Sequence, residues 1–293
     1  MSLLVIANPH AGRGRGARVL ERVEEFLAAH GTEHETAVTD RAGRTVELAA
    51  QASREGRPAV VLVGGDGTLF EALNGMMREG RLLPVAQIPV GTGNSFIKDL
   101  GIETLEHGLA ALAGGRRRRV DIGRVTSSSG QYHFVNLIGA GFVAGVAARA
   151  SAFKLFGDAS YRIGVFIELA LLRSCPCRLR IDGREIRREA IFVEVCNSRK
   201  TGGDMIMAPG AVIDDGLFDV VIANAMNRRT LLRLFPLIFT GEHVKDPHVE
   251  VLTGARVELD FQPPQPVTPD GELLGTTPIA IEVVPRALEM YTR

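Results

Sequence analysis

Residues 59–69, Ala59-Val60-Val61-Leu62-Val63-Gly64-Gly65-Asp66-Gly67-Thr68-Leu69, join an apolar run to a helical pattern through a turn with three glycines. The run Ala59–Val63 is short and has no polar alternation, which predicts a buried parallel strand. From Leu69 to Met77 the apolar residues recur at helical spacing. A strand, a glycine turn and a helix N-terminus together present free N–H groups and the positive end of the helix dipole. The stretch therefore predicts an anion site.

Asp66 is the unexpected member of this turn. Its carboxylate would repel a phosphate unless a cation lay between them. The motif thus predicts a metal-bound nucleotide, and a phosphotransferase is the leading interpretation. The alternative is a purely structural bend, in which a buried acid without a cation would be costly.

The composition limits the class of protein. A chain of 293 residues with 45% hydrophobic composition can form two domains with cores of their own. A net charge of +0 gives no argument for a nucleic-acid partner, and we expect none. We expect no transmembrane segment, because no run approaches about 20 apolar residues. Met1–Ala7 predicts a first strand and not a signal peptide, and three cysteines fit a reducing compartment.

Strand and helix patterns alternate over residues 1–120. The predicted strands are Leu3–Ala7, His34–Val38, Ala59–Val63 and Val85–Pro89, and the predicted helices are Arg15–Ala29, Arg44–Arg54 and Thr68–Arg78. This order predicts an α/β nucleotide-binding domain with a doubly wound parallel sheet. The turns Asn8–Gly14, Gly64–Thr68 and Gly91–Asn94 each follow a strand, so we expect them to meet at the carboxyl edge of the sheet.

The pattern changes after Arg119, where most predicted elements are consecutive strands. They are Val120–Val125, Tyr132–Ile138, Arg178–Ile181, Ile191–Val195, Phe218–Ala223, Val249–Val251, Val257–Phe261 and Ile279–Val284. Helical patterns interrupt them at about Val143–Ser174 and at Arg228–Thr240, the second with Asn227 as N-cap. We therefore expect an antiparallel β-sandwich over residues 121–283.

Specific motifs follow one another along nearly the whole chain. In the first half they are Asn8–Gly14 (NPHAGRG), Thr39, Gly64–Thr68 (GGDGT) and Pro89–Asn94 (PVGTGN). In the second half they are Val120–Gly123, Asn136–Phe142 (NLIGAGF), Gly202–Met205 with Ala208-Pro209, Asp214–Asp219 and Asp270–Glu272. This ordered set resembles the soluble diacylglycerol kinase and sphingosine kinase-type lipid kinases, above all the bacterial members. GGDGT alone also occurs in NAD kinases, so the second-half motifs carry the distinction.

The resemblance implies a nucleotide domain, a β-sandwich that accepts the lipid, and an active site in the cleft between them. It also implies that the last strand, about residues 284–293, returns to the first domain. The implied cofactors are ATP and Mg²⁺. The residues that it assigns to nucleotide binding are Asn8, Pro9, Gly12, Thr39, Gly64, Gly65, Asp66, Gly67, Thr68, Gly91, Thr92 and Asn94.

The resemblance also assigns catalytic and metal roles. Asp66 would act on the catalytic Mg²⁺ through water, and Glu272 would be the general base for the lipid hydroxyl. A carboxylate in that role contributes roughly 10²–10⁴-fold to the rate. A second, structural Mg²⁺ would be held by the Asp215 carboxylate with the carbonyls of Val212 and Leu217.

Several alternatives stay open on the residues alone. The segments Asp214–Gly216 and Asp270–Glu272 are both common hairpin turns. Arg116–Arg119 is interpreted as a solvated helix end, with contact to an anionic headgroup as the alternative. The stretch Val143–Leu172 is interpreted mostly as core, and part of it could line an acyl-chain pocket. Many relatives carry an Asp after the Gly-Thr-Gly-Asn turn where this chain has Ser95, which leaves the lipid class open among diacylglycerol, monoacylglycerol, a sphingoid base and a phosphatidylglycerol-like lipid.

The sequence as a whole predicts a cytoplasmic, ATP-dependent lipid kinase that visits the inner face of the membrane, where its lipid substrate lies. Whether it forms a homodimer stays open. The alternatives are a soluble-metabolite kinase similar to NAD kinase, and a lipid-binding relative without catalysis.

Overall fold

The chain packs as two compact units in a computed structural model that describes residues 2–91, 93–142, 144–145 and 172–293. Unit 1 comprises Met1–Ile122 and Pro285–Arg293, and unit 2 comprises Gly123–Val284. None of the helices in these described ranges is long and apolar enough to cross a bilayer.

Unit 1 is built on a parallel sheet with helices between its strands. The strands are β1 (Leu3–Ala7), β2 (His34–Val38), β3 (Val60–Gly64) and β4 (Val85–Pro89). The helices are α1 (Ala11–Gly14), α2 (Gly16–Ala29), α3 (Arg44–Glu55), α4 (Asp66–Arg78) and α5 (Leu105–Gly114), with a 3₁₀ helix at Phe96–Leu100. The sheet order is β2-β1-β3-β4, all parallel, which confirms the predicted α/β domain.

Burial explains why the central strands lack polar alternation. Every residue of β3 and of β4 is buried, since helices cover both faces of a parallel sheet. Helices α3 and α4 pack closely because Gly75 has no side chain: a Cβ there would lie 2.3 Å from the carbonyl oxygen of Val46.

The end of the chain belongs to unit 1. The last strand, β16 (Ile279–Tyr291), pairs in parallel with β4 at Met290 and Val85. Arg117 donates to the Tyr291 hydroxyl at 2.9 Å, and its guanidinium lies 4.9 Å from the centre of that ring. The interpretation of Arg116–Arg119 as a helix end is wrong: α5 ends at Gly114, and a strand begins at Arg117, in which Arg117 and Arg119 both pair with Glu289.

Unit 2 consists mainly of antiparallel strands. They are β5 (Arg117–Ser127, in this unit from Gly123), β6 (Gly130–Phe134), β7 (Leu137–Gly141), β8 (Cys175–Ile181), β9 (Arg184–Cys196), β10 (Lys200–Thr201), β11 (Met205–Ile206), β12 (Phe218–Asn224), β13 (Val249–Gly254), β14 (Arg256–Phe261), β15 (Val267–Pro269) and the first part of β16. Helix α6 (Arg228–Leu234) is followed by 3₁₀ helices at Phe235–Phe239 and Glu242–Lys245.

Strand β9 is shared by the two layers of unit 2. Its first half pairs with β8, which continues to β14 and β16, and its second half pairs with β7 and β12. Buried side chains from both sets of strands form one core, among them Leu179, Val195, Phe218 and Leu259. This arrangement confirms the predicted β-sandwich.

Two predicted elements of unit 2 are divided in the structure. The single strand predicted at Tyr132–Ile138 is two strands, because the chain turns at Val135-Asn136. The helix predicted at Arg228–Thr240 changes to 3₁₀ geometry after Leu234, where Pro236 lacks the N–H that an α-helix would need. Its predicted N-cap is confirmed, since Asn227 accepts from the Thr230 amide at 3.0 Å. The helical pattern at Val143–Ser174 falls mostly outside the described residues.

Candidate active site

The glycine turn after β3 leads directly into helix α4. The amides of Thr68 and Leu69 both donate to the Gly65 carbonyl, at 3.1 and 3.2 Å, so the helix begins at Asp66. Gly64 cannot be replaced without moving the turn, because a Cβ there would lie 2.3 Å from the Thr68 hydroxyl oxygen. The helix therefore directs its N-terminal amides toward the carboxyl edge of the sheet.

The Asp66 carboxylate is held by one oxygen only. Its Oδ2 accepts from the Ser95 amide at 3.0 Å, whereas Oδ1 is buried and has no hydrogen-bond partner in the described part of the chain. Burial raises the pKa of Asp66, against the opposing effect of the nearby amides and of the Lys98 charge. A carboxylate with an unused buried oxygen fits a cation, bound directly or through water.

The turn after β4 packs against the turn after β3. The Val90 amide donates to the Gly64 carbonyl at 3.3 Å. A Cβ on Gly93 would lie 3.4 Å from Asp66 Oδ2, so the two turns approach closely. Asn94 has φ +49° and donates to the Gly91 carbonyl at 2.6 Å. Thr92 lies outside the described residues.

The turn after β1 joins the same assembly. The Asn8 amide donates to the Val63 carbonyl at 3.0 Å, and Asn8 Oδ1 accepts from the His10 amide at 3.0 Å. Gly12 has φ +58°, and a Cβ there would lie 2.3 Å from the Val90 carbonyl oxygen. The structure thus brings together the three turns that the sequence predicted to meet.

Arg15 has a role that the sequence did not reveal. Its guanidinium donates to the carbonyls of Gly12 and Val90, both at 3.0 Å, and so ties the first turn to the third. From the sequence alone, the expected partner of Arg15 was either a phosphate or solvent.

Thr39 lies at the same sheet edge, one strand further out. It follows β2, is buried, and its amide donates to the Ala7 carbonyl at 2.8 Å. This bond places Thr39 beside the start of the first turn. Its assignment to the nucleotide, like that of Pro9 and the glycines, stays a prediction.

In unit 2, the turn Asp270–Glu272 is fixed by its first residue. The Asp270 carboxylate accepts from the amides of Val135, Asn136 and Leu137 at 2.9, 2.9 and 3.1 Å. The Asp270 amide in turn donates to the Leu137 carbonyl at 2.8 Å. The sequence did not predict this role, because Asp270 lies far along the chain from its three donors and residues 132–138 were expected to form one strand.

Glu272 is exposed, two residues further along the turn. Its amide donates to the Pro269 carbonyl at 2.8 Å, which closes the turn. Its carboxylate has no hydrogen bond or ion pair to any described residue. The side chain is therefore available to accept a proton.

The predicted structural metal site is less defined. Asp215 is exposed and its Oδ1 accepts from the Leu217 amide at 3.0 Å. Burial and the Asp215 charge raise the pKa of the neighbouring Asp219. Within the described ranges, no three His, Cys, Asp or Glu side chains are grouped to hold a metal. A site with one carboxylate and the carbonyls of Val212 and Leu217 stays a prediction.

Comparison with known proteins places both units in one family. The family model described as "Diacylglycerol kinase catalytic domain" matches residues 2–125, and "YegS C-terminal NAD kinase beta sandwich-like domain" matches residues 136–292. The diacylglycerol kinase of Mycobacterium tuberculosis (strain ATCC 25618 / H37Rv) is 32% identical, over 97% of this chain and 93% of the relative. That of Bacillus subtilis (strain 168) is 28% identical, over 94% and 90%.

Solved structures agree on the fold. Two crystal structures from Bacillus anthracis str. Sterne superpose with TM-scores of 0.83 and 0.77, at 23% and 20% identity, each over 100% of this chain and 97% of the solved chain. At identities this low, the similarity to these two structures shows the fold and nothing about activity. The match of the catalytic-domain model to the residues that form the three turns, together with the full-length similarity to the mycobacterial relative, shows that this chain belongs to the diacylglycerol kinase family.

Proposed function

We propose that this protein is an ATP-dependent lipid kinase, which transfers the γ-phosphoryl group of ATP to the hydroxyl of a diacylglycerol-like lipid. The observation that carries the proposal is the buried, unpartnered oxygen of Asp66 where three glycine turns meet. A charged carboxylate at that position is reasonable beside a cation and a polyphosphate, and costly without them. The names of the relatives favour diacylglycerol over the other lipids.

The turns would bind the phosphates mainly through their backbone. Amides at the start of α4 and in the glycine turns are donors that suit phosphate oxygens. Asn8, Gly12, Thr39 and Asn94 border this region, and Arg15 keeps two of the turns in register. Mg²⁺, held near Asp66 through water, would supply positive charge for the phosphate oxygens.

We assign the activation of the acceptor hydroxyl to Glu272. A primary hydroxyl is a weak nucleophile, and a carboxylate in hydrogen-bond reach strengthens it by accepting its proton. In the proposed reaction the hydroxyl oxygen bonds to the γ-phosphorus, the bond between that phosphorus and the bridging oxygen breaks, and ADP leaves with the electron pair. Asp270 is a positioning residue, because it fixes the turn that carries Glu272.

A turnover assay with purified protein tests the proposal. The protein is incubated with γ-labelled ATP and Mg²⁺, together with either diacylglycerol dispersed in detergent or NAD. We expect label in the lipid. Asp66→Asn keeps the size of the side chain and removes its charge, so we expect at least about a 10²-fold loss of kcat. Glu25→Gln, an exposed acid on α2, is the matched control and should keep wild-type turnover.

Other outcomes of the same assay favour the rivals. Label in NAD and none in any lipid would support a soluble-metabolite kinase. Lipid binding without release of ADP would support a relative that has lost catalysis. Label in a total lipid extract but not in diacylglycerol would keep the kinase and change the acceptor.

A further inference from the structure

The segment Arg228–Phe239 of unit 2 exposes apolar side chains where a surface segment usually exposes polar ones. Leu232 is 53% exposed, Phe239 49%, Phe235 39% and Leu237 37%. Single exposed apolar residues are common, but a contiguous group of them marks a surface that contacts another apolar medium. We call these four side chains the apolar tip.

The exposure of the apolar tip does not arise because the segment has separated from the core. The segment already packs on the core of unit 2 through other residues: Leu234 is 3% exposed, and Ile238 packs against the buried cluster that contains Phe192 and Met207. Apolar residues therefore lie on both faces of the segment, and only one face has a partner in the described part of the chain.

Three side chains of the apolar tip lie close together. Leu232 and Phe235 are three residues apart where α6 passes into the 3₁₀ helix, a spacing that places them on the same side of the segment. The rings of Phe235 and Phe239 lie 6.1 Å apart in an edge-to-face contact. Edge-to-face contact is a favoured geometry for two aromatic rings, so it holds Phe235 and Phe239 next to each other.

The segment that carries the apolar tip is itself positively charged. Residues 228–239 contain three arginines and no acid, in a chain whose net charge is +0. Arg228 and Arg229 are exposed and line an open groove with Met226 and Asn227. Arg229 makes no ion pair or hydrogen bond to any described residue, whereas Arg233 is paired with Asp246 at 2.6 Å.

We propose that the segment Arg228–Phe239 docks on a bilayer that contains anionic phospholipid: the apolar tip enters the acyl boundary while Arg228 and Arg229 contact headgroup phosphates. Apolar side chains rimmed by arginines match the two chemistries of such an interface. The partner's identity as a lipid surface rests on the proposed function, whereas the surface itself rests on exposure and charge. A protein partner is the competing occupant.

Vesicle sedimentation of the full chain, without ATP or acceptor lipid, tests the electrostatic half. We expect binding to phosphatidylcholine vesicles that contain phosphatidylglycerol, weaker binding to phosphatidylcholine alone, and loss of the difference in high salt. Arg228→Gln with Arg229→Gln should weaken binding about fivefold for each arginine. Arg184→Gln with Arg187→Gln, a pair on β9 that is also exposed, is the control with the same change of charge and should bind as wild type does. Equal loss in both double variants would overturn the docking assignment.

A single tryptophan tests insertion, since the natural chain contains none. Phe235→Trp should shift its emission to shorter wavelength with phosphatidylglycerol vesicles, and Ala28→Trp, on the exposed face of α2, should not. Leu232→Ser with Phe239→Ser should weaken vesicle binding, in contrast to Val38→Ser, which is 51% exposed in unit 1. An unshifted Phe235→Trp spectrum, or a dimer that the serine variant dissociates, would overturn the lipid assignment in favour of a protein partner.

Turnover separates this proposal from the proposed function. The serine variant should lose activity on diacylglycerol in vesicles and keep it on a short-chain, water-soluble diacylglycerol. Loss on both would place the segment in the catalytic machinery and contradict docking. Vesicle binding by a protein that phosphorylates no lipid would refute the proposed function and leave the docking surface intact.

Discussion

Two carboxylates that stand two residues apart in one turn have opposite surroundings. Asp270 accepts three backbone hydrogen bonds and is buried, whereas Glu272 is exposed and its carboxylate has no partner among the described residues. The first is suited to hold structure and the second to exchange a proton. At the scale of the residue, the proposed function therefore gives Asp270 a positioning role and Glu272 a catalytic one.

Replacement of Glu272 by Gln should lower kcat without loss of nucleotide binding. The amide keeps the size of the side chain but cannot accept the proton of the acceptor hydroxyl, so we expect a loss of roughly 10²–10⁴-fold. The measurement is kcat at saturating lipid, alongside the Kd for ATP in the presence of Mg²⁺. Wild-type kcat in the variant would contradict the assignment of Glu272 as base.

Replacement of Asp270 by Asn should act on both stability and turnover. The amide can accept at one atom only, so at least one of the three backbone donors loses its partner, at a cost of about 1–3 kcal/mol. Because the turn also carries Glu272, kcat should fall as well, with the KM for ATP unchanged. Urea denaturation and steady-state kinetics measure the two effects. A variant less stable than wild type but with normal kcat would show that Asp270 holds the fold and does not position the base.

At the scale of the element, Gly123 determines how β5 pairs with β6. Gly123 lies directly opposite Phe134, and a Cβ there would lie 2.0 Å from the Phe134 ring. That ring stacks on Phe218 with centroids 5.7 Å apart, so it has little room to move. The glycine thus allows an aromatic side chain to cover the strand and join the core.

Gly123→Ala should therefore destabilise the protein by about 1–3 kcal/mol, as overpacked cores do. A second change, Phe134→Leu, shortens the opposing side chain, so the double variant should recover part of the loss relative to the sum of the two single variants. The control is Gly114→Ala, whose Cβ would meet nothing within 4 Å at the end of α5. Denaturation midpoints of the four variants, compared with the wild type, measure the destabilisation that each change causes. Strict additivity of Gly123→Ala and Phe134→Leu would contradict the clash.

Local pattern predicts the strands and turns of unit 1, because a buried parallel strand and a glycine turn have signatures within a few residues of each other. The position of Asp66 in the glycine turn could be predicted in this way. The hydrogen bonds from the Ser95 amide to Asp66 and from Arg15 to the Val90 carbonyl could not be predicted, since each joins positions far apart in the sequence. The same limit applies to β9, whose two halves serve different layers, and to Arg117 and Arg119, whose partners lie at the other end of the chain.

At the scale of the whole molecule, two buried titratable groups pull stability in opposite directions as the pH changes. Burial raises the pKa of Glu194 on β9 to about 8. Burial, with the Arg124 charge, lowers the pKa of His133 on β6 to about 4. Both groups are neutral in the folded protein near pH 6, and each becomes charged more readily once the chain unfolds.

The signs follow from proton binding. Between pH 4.5 and 8 the folded protein keeps the Glu194 proton that the unfolded chain releases, so stability falls with rising pH. Between pH 4 and 6.5 the unfolded chain binds a proton at His133 that the folded protein does not, so stability rises. The two slopes cancel below pH 6.5, and only the Glu194 slope remains above it.

Between pH 6.5 and 8, ionisation of Glu194 should lower the stability of the wild type relative to a variant without this carboxyl by about 2 kcal/mol, at one proton per unit of pH. Glu194→Gln keeps the shape and cannot ionise, whereas the other groups whose pKa is shifted by burial, among them His133, His243 and Asp66, are common to both proteins and cancel in the difference. Urea denaturation of both proteins across this range measures the two profiles. Parallel profiles would show that Glu194 carries no proton of its own at neutral pH, whereas a decline of the wild type relative to the variant would assign that part of the pH dependence to this one side chain.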